Sequence, residues 1–258
     1  MAEVVIVGAP EEAGRIGADA IERLVRARPD AVLGLATGSS PLPIWQALRD
    51  RGLDLRRVHG FALDEYVGLP AGHPESYRAV LMREVVEPLG LDPARVEVPG
   101  DGADGAGLAG AGEAYEARIE AAGGIDLQVL GIGSNGHIAF NEPGSAFDSR
   151  TRVAELAEAT RRDNARFFGG DIDRVPTQCI TQGIGTILRA RRLVLIAQGE
   201  SKAEALAAAL EGPMTVAMPA SAIRRHPDVT VIADEAAASR LRHADEYRAA
   251  WAGRSGRR

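Results

Sequence analysis

Short apolar runs alternate with amphipathic segments along the chain. The apolar runs have the length and composition of buried β-strands, and they lie at residues 4–8, 31–36, 58–63, 125–130, 193–198 and 229–233. Between them, apolar residues recur at helical spacing. These helical segments follow residue 41 as far as about residue 50 and also lie at 11–28, 77–89, 108–122, 201–210 and 234–241. The pattern predicts a chain of repeated strand–helix units.

This alternation favours one fold class. Continuously apolar strands need cover on both faces, which a parallel sheet between two helical layers provides. We therefore expect an α/β fold with a mostly parallel sheet and helices on both faces, an open Rossmann-like sandwich. Since no internal repeat or linker divides the sequence, residues 1–258 are predicted to form a single domain. Residues 100–112 are predicted to form a loop, and the tail 252–258 to fray.

Composition narrows the class of protein. The chain has 258 residues, of which 45% are hydrophobic and 26% charged, as in soluble globular proteins. Its net charge of −6 argues against nucleic acid or an anionic membrane as a partner. The single cysteine, Cys179, excludes an intrachain disulfide and a cysteine zinc cluster, and we expect a buried structural thiol. No apolar run approaches the ~20 residues that span a bilayer, so a cytoplasmic protein is expected.

The loop at residues 131–143 carries the strongest chemical signal. It follows the apolar run at 125–130 and contains an amide, an imidazole and a carboxylate in Asn135, His137 and Glu142. Loops at the carboxyl ends of parallel strands hold the ligands of such sheets. A carboxylate can orient an imidazole and support its charged form, so the loop indicates proton transfer.

Two other interpretations of this loop remain. Glycines at 131, 133 and 136 match the spacing G-x-G-x-x-G of dinucleotide-binding proteins. That motif should open a helix, but Pro143 disfavours helix for the residue before it, so no nicotinamide or flavin cofactor is expected. An ordinary polar loop with a hydrogen-bonded histidine is the second alternative.

Two further segments have the character of an anion site. Gly38, Ser39 and Ser40 lie between a strand and a helix, where hydroxyls and free backbone amides bind phosphate, although a simple helix cap is an alternative. Lys202 is the one lysine among 30 basic residues and follows the strand 193–198, with Ser201 as a candidate N-cap. A cation in a first helical turn opposes the helix dipole unless a bound anion compensates it. Chance retention of one surface lysine is the alternative.

Asp64 lies at the end of the apolar run 58–63. A carboxylate at the mouth of a buried strand can have a raised pKa and act as a base. A turn or capping aspartate is the alternative. Three arginines at 161, 162 and 166 could supply a second cation, although helix surfaces often carry arginines without a function.

These segments together match one family over nearly the whole chain. The matching stretches are LGLATGSSP at 33–41, LDEYVGLP at 63–70, HPESY at 73–77, GHIAFNEP at 136–143, SRTR at 149–152, NARFF at 164–168 and SKA at 201–203. The chain resembles the glucosamine-6-phosphate deaminases, also called glucosamine-6-phosphate isomerases. The resemblance implies conversion of glucosamine 6-phosphate and water into fructose 6-phosphate and ammonia, with no organic cofactor and no metal.

The resemblance also implies roles for particular residues. Asp64 would move a proton from C2 toward C1, and His137 would assist ring opening, oriented by Glu142 and Asn135. The substrate phosphate would bind to a set of backbone, hydroxyl and cationic groups, namely Gly38, Ser39, Ser40, Arg166 and Lys202. This agrees with the chemistry of an aldose–ketose shift, which needs a carboxylate base, a proton carrier at the ring oxygen and an anion anchor.

The chain departs from the family pattern at two positions. Many members have aspartate where this chain has Asn135, and an amide can orient the imidazole but supplies no negative charge. Allosteric members have a basic residue two positions after the arginine equivalent to Arg152, and here that position is Ala154. Activation by N-acetylglucosamine 6-phosphate is therefore not expected.

Two rival functions are considered. A 6-phosphogluconolactonase resembles this family in its fold and its Gly-His loop, but it would not need Asp64 as a carbon base. A catalytically silent sugar-phosphate sensor should carry a DNA-binding segment or lack the acid–base residues, and this chain retains them. The expected partner is a small sugar phosphate, and the sequence leaves the oligomeric state open, a homo-oligomer included.

Overall fold

The computed structural model describes residues 2–100 and 105–255, which alternate between strands and helices. The strands are β1 (Glu3–Val7), β2 (Val32–Leu35), β3 (His59–Ala62), β4 (Asp64–Tyr66), β5 (Val96–Glu97), β6 (Leu127–Leu130), β7 (Arg152–Glu155), β8 (Gln178–Thr181), β9 (Leu193–Ala197) and β10 (Val229–Asp234). The helices are α1 (Pro10–Ala27), α2 (Leu42–Arg49), α3 (Tyr77–Leu81), α4 (Glu87–Leu89), α5 (Ala111–Ala121), α6 (Glu158–Asn164), α7 (Ile184–Ile187), α8 (Ala203–Glu211), α9 (Glu235–Ala238) and α10 (Ala244–Ser255). A π-helical turn at Met82–Val86 joins α3 to α4.

Seven strands form one parallel sheet in the order β1-β10-β9-β6-β2-β3-β5. Every residue of β2, β6 and β9 is buried, because both faces of the sheet are covered. The predicted fold class, an α/β sandwich with a mostly parallel sheet, is confirmed. The chain order reverses between β2 and β6, and ligand crevices in such sheets lie beyond the strand ends at such a reversal.

Two glycines of α1 allow the start of α2 to pack closely against α1. A Cβ at Gly14 would lie 2.3 Å from the backbone oxygen of Pro43, and one at Gly17 would lie 2.6 Å from the side chain of Ile44. Larger residues at these two positions would therefore push α2 away from α1. The close approach sets the position of the loop between β2 and α2 at the edge of the sheet.

A second sheet, which the sequence analysis did not predict, begins beyond the carboxyl end of β3. It has the antiparallel order β4-β8-β7, with Asp64 opposite Thr181. A small separate cluster of buried side chains, which includes Tyr66, Phe140 and Phe168, lies against it. Cys179 of β8 belongs to this cluster and is buried, as predicted, and burial raises the pKa of its thiol.

The element ends differ from the predictions at the loop 100–112 and at the tail 252–258. The predicted loop 100–112 overlaps α5, which begins at Ala111, and its residues 101–104 lie outside the described part. The predicted tail 252–258 begins inside α10, which continues to Ser255 because Tyr247 and Trp251 pack this helix onto the core. Residues 256–258 lie outside the described part, so the single-domain boundary remains a prediction. No helix among the described residues is long and apolar enough to cross a membrane.

Candidate active site

A cavity of about 570 Å³ opens beyond the carboxyl ends of the neighbouring strands β2 and β6. The loops that follow β2, β3, β6 and β9 form its walls, together with side chains of α3 and α6. Seven of the nine predicted site residues line it, namely Gly38, Ser39, Ser40, Asp64, His137, Arg166 and Lys202. The remaining two, Asn135 and Glu142, contact His137 instead. The structure thus brings all nine residues to one edge of the sheet.

Glycines shape the loop that carries the histidine. Gly136 has φ +84°, a conformation that favours glycine, and it sets the turn before His137. A Cβ at Gly133 would lie 2.2 Å from Cε1 of the imidazole. The ring therefore packs directly onto the backbone of Gly133, so Gly133 and Gly136 are accounted for without a dinucleotide.

A short relay orients His137. Its Nδ1 lies 2.7 Å from Oδ1 of Asn135, which also accepts the backbone N–H of His137 at 3.1 Å. The amide Nδ2 of Asn135 donates to Oε2 of Glu142 at 2.8 Å. Because an amide oxygen only accepts, Nδ1 of the neutral ring holds the proton and Nε2 keeps its lone pair. Asn135 therefore contacts both the backbone and the ring of His137, and Glu142 approaches Nδ1 to 3.7 Å.

The charge state of His137 follows from its surroundings. Burial lowers the pKa of the imidazole, and the positive charge of Lys202 acts in the same direction. The carboxylates of Glu142 and Asp163 oppose this shift. A neutral imidazole at neutral pH can accept a proton at Nε2 and then return it.

The turn after the histidine contains strained backbone. Ala139 has φ +49°, the left-handed region that non-glycine residues rarely adopt, and such residues cluster at functional sites. Buried Asn141 holds the turn by donating to the backbone oxygens of Ile138 at 3.0 Å and Gln182 at 2.8 Å. The sequence analysis missed this role of Asn141. As a result, the backbone N–H of Phe140 points toward the start of β4 and donates to Oγ1 of Thr181, the residue opposite Asp64, at 3.2 Å.

Asp64 lies on the cavity wall with only 7% of its surface exposed. Burial raises the pKa of this carboxyl well above its ordinary value, and the neighbouring charge of Glu65 adds to the shift. The nearby backbone N–H of Phe140 opposes this shift. Glu65 points the other way, since side chains alternate along a strand, and it accepts the backbone N–H groups of Tyr77 and Arg78 at 2.8 Å each. Only Asp64 of the two is therefore available to a ligand in the cavity.

The opposite end of the cavity favours an anion. Gly38 has φ +90° and turns the chain from β2 toward α2, while Ser39 and Ser40 line the cavity. Helix α2 has Pro41 at its N-cap and no side-chain cap, so the alternative in which a serine only caps this helix is wrong. The loop instead presents hydroxyls beside a helix start, where the helix dipole favours negative charge.

Two cations complete this end. Lys202 occupies the N-cap position of α8, so the predicted helix start at Ser201 is wrong, because Ser201 lies in a 3₁₀ turn at Glu200–Lys202. Burial lowers the pKa of Lys202, and the charge of Arg166 adds to the shift, while Asp163 opposes it. Lys202 at the start of α8 and Arg166 in the turn 165–168 thus lie close enough for their charges to interact, and together they favour a negatively charged ligand.

The three candidate arginines separate clearly. Arg161 donates to the backbone oxygens of Ile172 and Val175, and Arg162 forms an exposed ion pair with Glu158. Arg166 alone of the three lines the cavity. Within the residues that the structure describes, no group of three or more His, Cys, Asp or Glu side chains could hold a metal ion.

A family model described as "Glucosamine-6-phosphate isomerases/6-phosphogluconolactonase" matches residues 10–232. The chain belongs to this family. The deaminase of Bifidobacterium longum strain DJO10A, named glucosamine-6-phosphate deaminase, is 59% identical, and the match covers 97% of each chain. A relative of the same name from Pseudarthrobacter chlorophenolicus is 57% identical over 95% of each chain.

Solved structures of the family agree with the fold. A structure described as a monomeric glucosamine-6-phosphate deaminase superimposes with a TM-score of 0.88 at 40% identity, covering 92% of this chain and 99% of that one. A 6-phosphogluconolactonase from Trypanosoma brucei gives a TM-score of 0.77 at 21% identity, covering 93% and 99%, and shows the fold alone. The predicted resemblance to the glucosamine-6-phosphate deaminases is therefore confirmed at the level of the family.

The structure adds residues that the family motifs did not single out. Tyr66 lies two residues after Asp64 on the same strand and also lines the cavity, and its hydroxyl accepts the side-chain amide of Asn164 at 2.9 Å. Asp163, the residue before Asn164, accepts the hydroxyl of Ser134 at 3.0 Å. Strand alternation from Asp64 could have predicted Tyr66. The contacts of α6 join segments distant in sequence, and no sequence signal indicated them.

Proposed function

We propose that this chain converts glucosamine 6-phosphate and water into fructose 6-phosphate and ammonia, without an organic cofactor or a metal ion. The observation that carries the proposal is the buried carboxyl of Asp64, with its raised pKa, in the same cavity as the neutral imidazole of His137 and two cations. A carbon base, a proton carrier and an anion anchor are what this reaction requires.

The order of the strands supports an orientation of the substrate. The loops that follow β9 and β6 carry Lys202 and His137, and the loop that follows β2 carries Ser39 and Ser40. Asp64 is the first residue of β4, which begins shortly after β3 ends. In the sheet these strands lie in the order β9-β6-β2-β3. A phosphate bound between Lys202 and the two serines would lie over the loop that follows β6, so that the sugar extends from it toward Asp64 with His137 alongside. Binding energy at the phosphate then holds the reacting carbons near the base.

The proposed steps begin with ring opening. Nε2 of His137 takes the proton of the C1 hydroxyl and returns it to the ring oxygen, which leaves an open-chain aldehyde. Asp64 then removes the proton of C2 while the ammonium group at C2 gives one proton to the C1 oxygen, and an enolamine forms. Asp64 returns its proton to C1, so that an iminium group remains at C2. Water adds to C2 and ammonia leaves, which gives the ketone of fructose 6-phosphate.

Lactone hydrolysis is a weaker candidate. Water attack on a lactone carbonyl needs a base for the water, which His137 could supply, but none for a carbon-bound proton. It therefore gives no reason for the buried carboxyl of Asp64 in the cavity. The lactonase structure compared above is 21% identical and shows the fold alone. We therefore do not propose this function.

The test is a direct assay with purified protein. Glucosamine 6-phosphate is supplied, and ammonia and fructose 6-phosphate are measured in parallel, with 6-phosphogluconolactone as the competing substrate. We expect the two products in equal amounts and no hydrolysis of the lactone above its spontaneous rate. Lactone hydrolysis without ammonia release would overturn the proposal.

The proposal on regulation rests on the surroundings of Arg152. Arg152 already donates to Oδ1 of Asn141 at 2.9 Å and to the hydroxyl of Ser145 at 3.2 Å, and Ala154 provides no charge. This supports an enzyme that N-acetylglucosamine 6-phosphate does not activate. The cytoplasmic location remains a proposal. A related structure is described as monomeric, and the oligomeric state of this chain is left open.

A further inference from the structure

The position of Lys202 depends on a turn that begins at Gly199. Gly199 has φ +84° and ψ 155°, a region that is essentially restricted to glycine. The backbone N–H of Lys202 donates to the oxygen of Gly199 at 3.1 Å and closes the turn. The orientation of Gly199 therefore determines where the lysine side chain leaves the backbone.

A carboxylate outside the cavity holds this glycine. Asp234 is the last residue of β10, the neighbour of β9 in the sheet. Its Oδ1 and Oδ2 accept the backbone N–H of Gly199 at 3.1 Å and 2.9 Å. Oδ1 also accepts the N–H of Ala237 at 2.7 Å, so that Asp234 caps α9 as well. One carboxylate thus joins the start of α9 to the turn that presents Lys202.

Asp234 does not line the cavity, and its contacts run to backbone groups rather than into the site. We propose that Asp234 is a positioning residue for phosphate binding, which acts through Gly199 to hold Lys202 at the anion end of the cavity. This inference rests on the proposed function, because it takes Lys202 as a ligand of the substrate phosphate.

The physical reason is preorganisation. A lysine side chain has four flexible carbon atoms, and ordering it at the moment of binding costs free energy. A fixed backbone at Gly199 removes one part of that cost before the phosphate arrives. Loss of the carboxylate should therefore weaken the binding of anions and leave the proton transfers at Asp64 and His137 intact.

One substitution separates this role from helix capping. Serine caps helices about as well as aspartate, so Asp234→Ser keeps an acceptor for the N–H of Ala237. The serine side chain is shorter and has a single oxygen, so it cannot also accept the N–H of Gly199. Asp92→Ser is the matched control, because Asp92 also caps a short helix, Pro93–Arg95, by accepting the N–H of Ala94 at 3.0 Å. That helix precedes β5 at the far edge of the sheet.

The experiment measures KM and kcat for glucosamine 6-phosphate, the dissociation constant of inorganic phosphate and the melting temperature. Asp234→Ser is expected to raise KM and the phosphate dissociation constant about three- to tenfold, the value of one ordinary hydrogen bond, with kcat within about twofold. Asp92→Ser should change none of these. Should Asp234→Ser fold poorly, Asp234→Asn retains one acceptor oxygen and is expected to give a smaller increase in the same two constants.

A double substitution tests the route of the effect. If Asp234 acts through Lys202, then adding Asp234→Ser to Lys202→Met should weaken phosphate binding no further than Lys202→Met alone. Additive losses, or unchanged phosphate binding in Asp234→Ser, would overturn the inference. The proposed function fails separately, if the parent protein releases no ammonia, because the phosphate titration is independent of turnover.

Discussion

Replacing Asp64 with asparagine is expected to slow turnover and to stabilise the fold at the same time. The side chain is buried on the cavity wall, where the nearby backbone N–H of Phe140 favours its ionised form. Asparagine has the same shape, but it cannot take a proton from carbon. Turnover should fall on the order of 10²- to 10⁴-fold, the usual contribution of a general base. KM should change little, because the phosphate anchor is built by other segments.

The gain in stability follows from the pKa of Asp64. Burial raises this pKa above its unfolded value, so the ionised carboxyl costs free energy of folding at neutral pH. Each unit of upward shift corresponds to about 1.4 kcal/mol. Removing 1 kcal/mol of that cost raises the melting temperature of a chain of this size by about 2–4 °C. The cost disappears as the pH falls toward the unfolded pKa, so the advantage of Asp64→Asn should shrink in acid.

The adjacent carboxylate provides a control of opposite sign. Glu65 accepts the backbone N–H groups of Tyr66, Tyr77 and Arg78 at 2.7–2.8 Å, and it stabilises the start of α3. Glu65→Gln should lower the melting temperature, at a cost of about 1–3 kcal/mol, because an amide has one acceptor oxygen for three donors. It should retain far more turnover than Asp64→Asn.

The assay compares kcat and melting temperature for both variants and the parent at pH 7 and pH 5. In the parent, kcat should decline as the pH falls through the raised pKa of Asp64, because the base must be ionised. Near-parent turnover in Asp64→Asn would remove this residue from the mechanism. A lower melting temperature in Asp64→Asn would show that the buried charge of Asp64 does not destabilise the fold of the parent.

Three further predictions concern the other parts of the site. Lys202→Arg should raise KM despite the retained charge, because a planar guanidinium does not fit where a compact ammonium is held, and an unchanged KM would mean that the phosphate site is misplaced. Arg166→Ala should raise KM roughly 10- to 100-fold. Its control, Arg162→Ala, removes only an exposed ion pair and should leave KM within about twofold. Equal effects on KM would contradict the assignment of Arg166 to the phosphate site. Gly133→Ala should lower kcat at least about tenfold, because its Cβ would lie 2.2 Å from the ring of His137, and normal activity would show that the ring tolerates displacement.

Much of the fold followed from the apolar pattern. Each strand of the main sheet except the two-residue β5 had been predicted, since runs such as 193–198 are long and uniformly apolar. The second sheet was missed because its short strands, such as Asp64–Tyr66 and Arg152–Glu155, contain polar residues and lie in no continuous apolar run. They also pair across long separations, as Asp64 does with Thr181.

The candidate site was predictable where its members are close in sequence. Asn135, His137 and Glu142 lie in one loop, and the relay between them follows from their spacing and the turn at Gly136. The support from Asp234 was not predictable, because the carboxylate meets Gly199 only through the pairing of β9 with β10. Contacts of this kind depend on register, which a single sequence does not reveal.

The most direct test of the account uses glucosamine 6-phosphate deuterated at C2, in the presence of a chelator. The proposed mechanism predicts equal amounts of ammonia and fructose 6-phosphate, a slower rate than with unlabelled substrate, and loss of the C2 label, part of it recovered at C1. It also predicts that Asp64→Asn retains the label at C2. Ammonia release with the C2 label intact, or activity that the chelator abolishes and a divalent ion restores, would contradict the central claim that one buried carboxylate moves this proton.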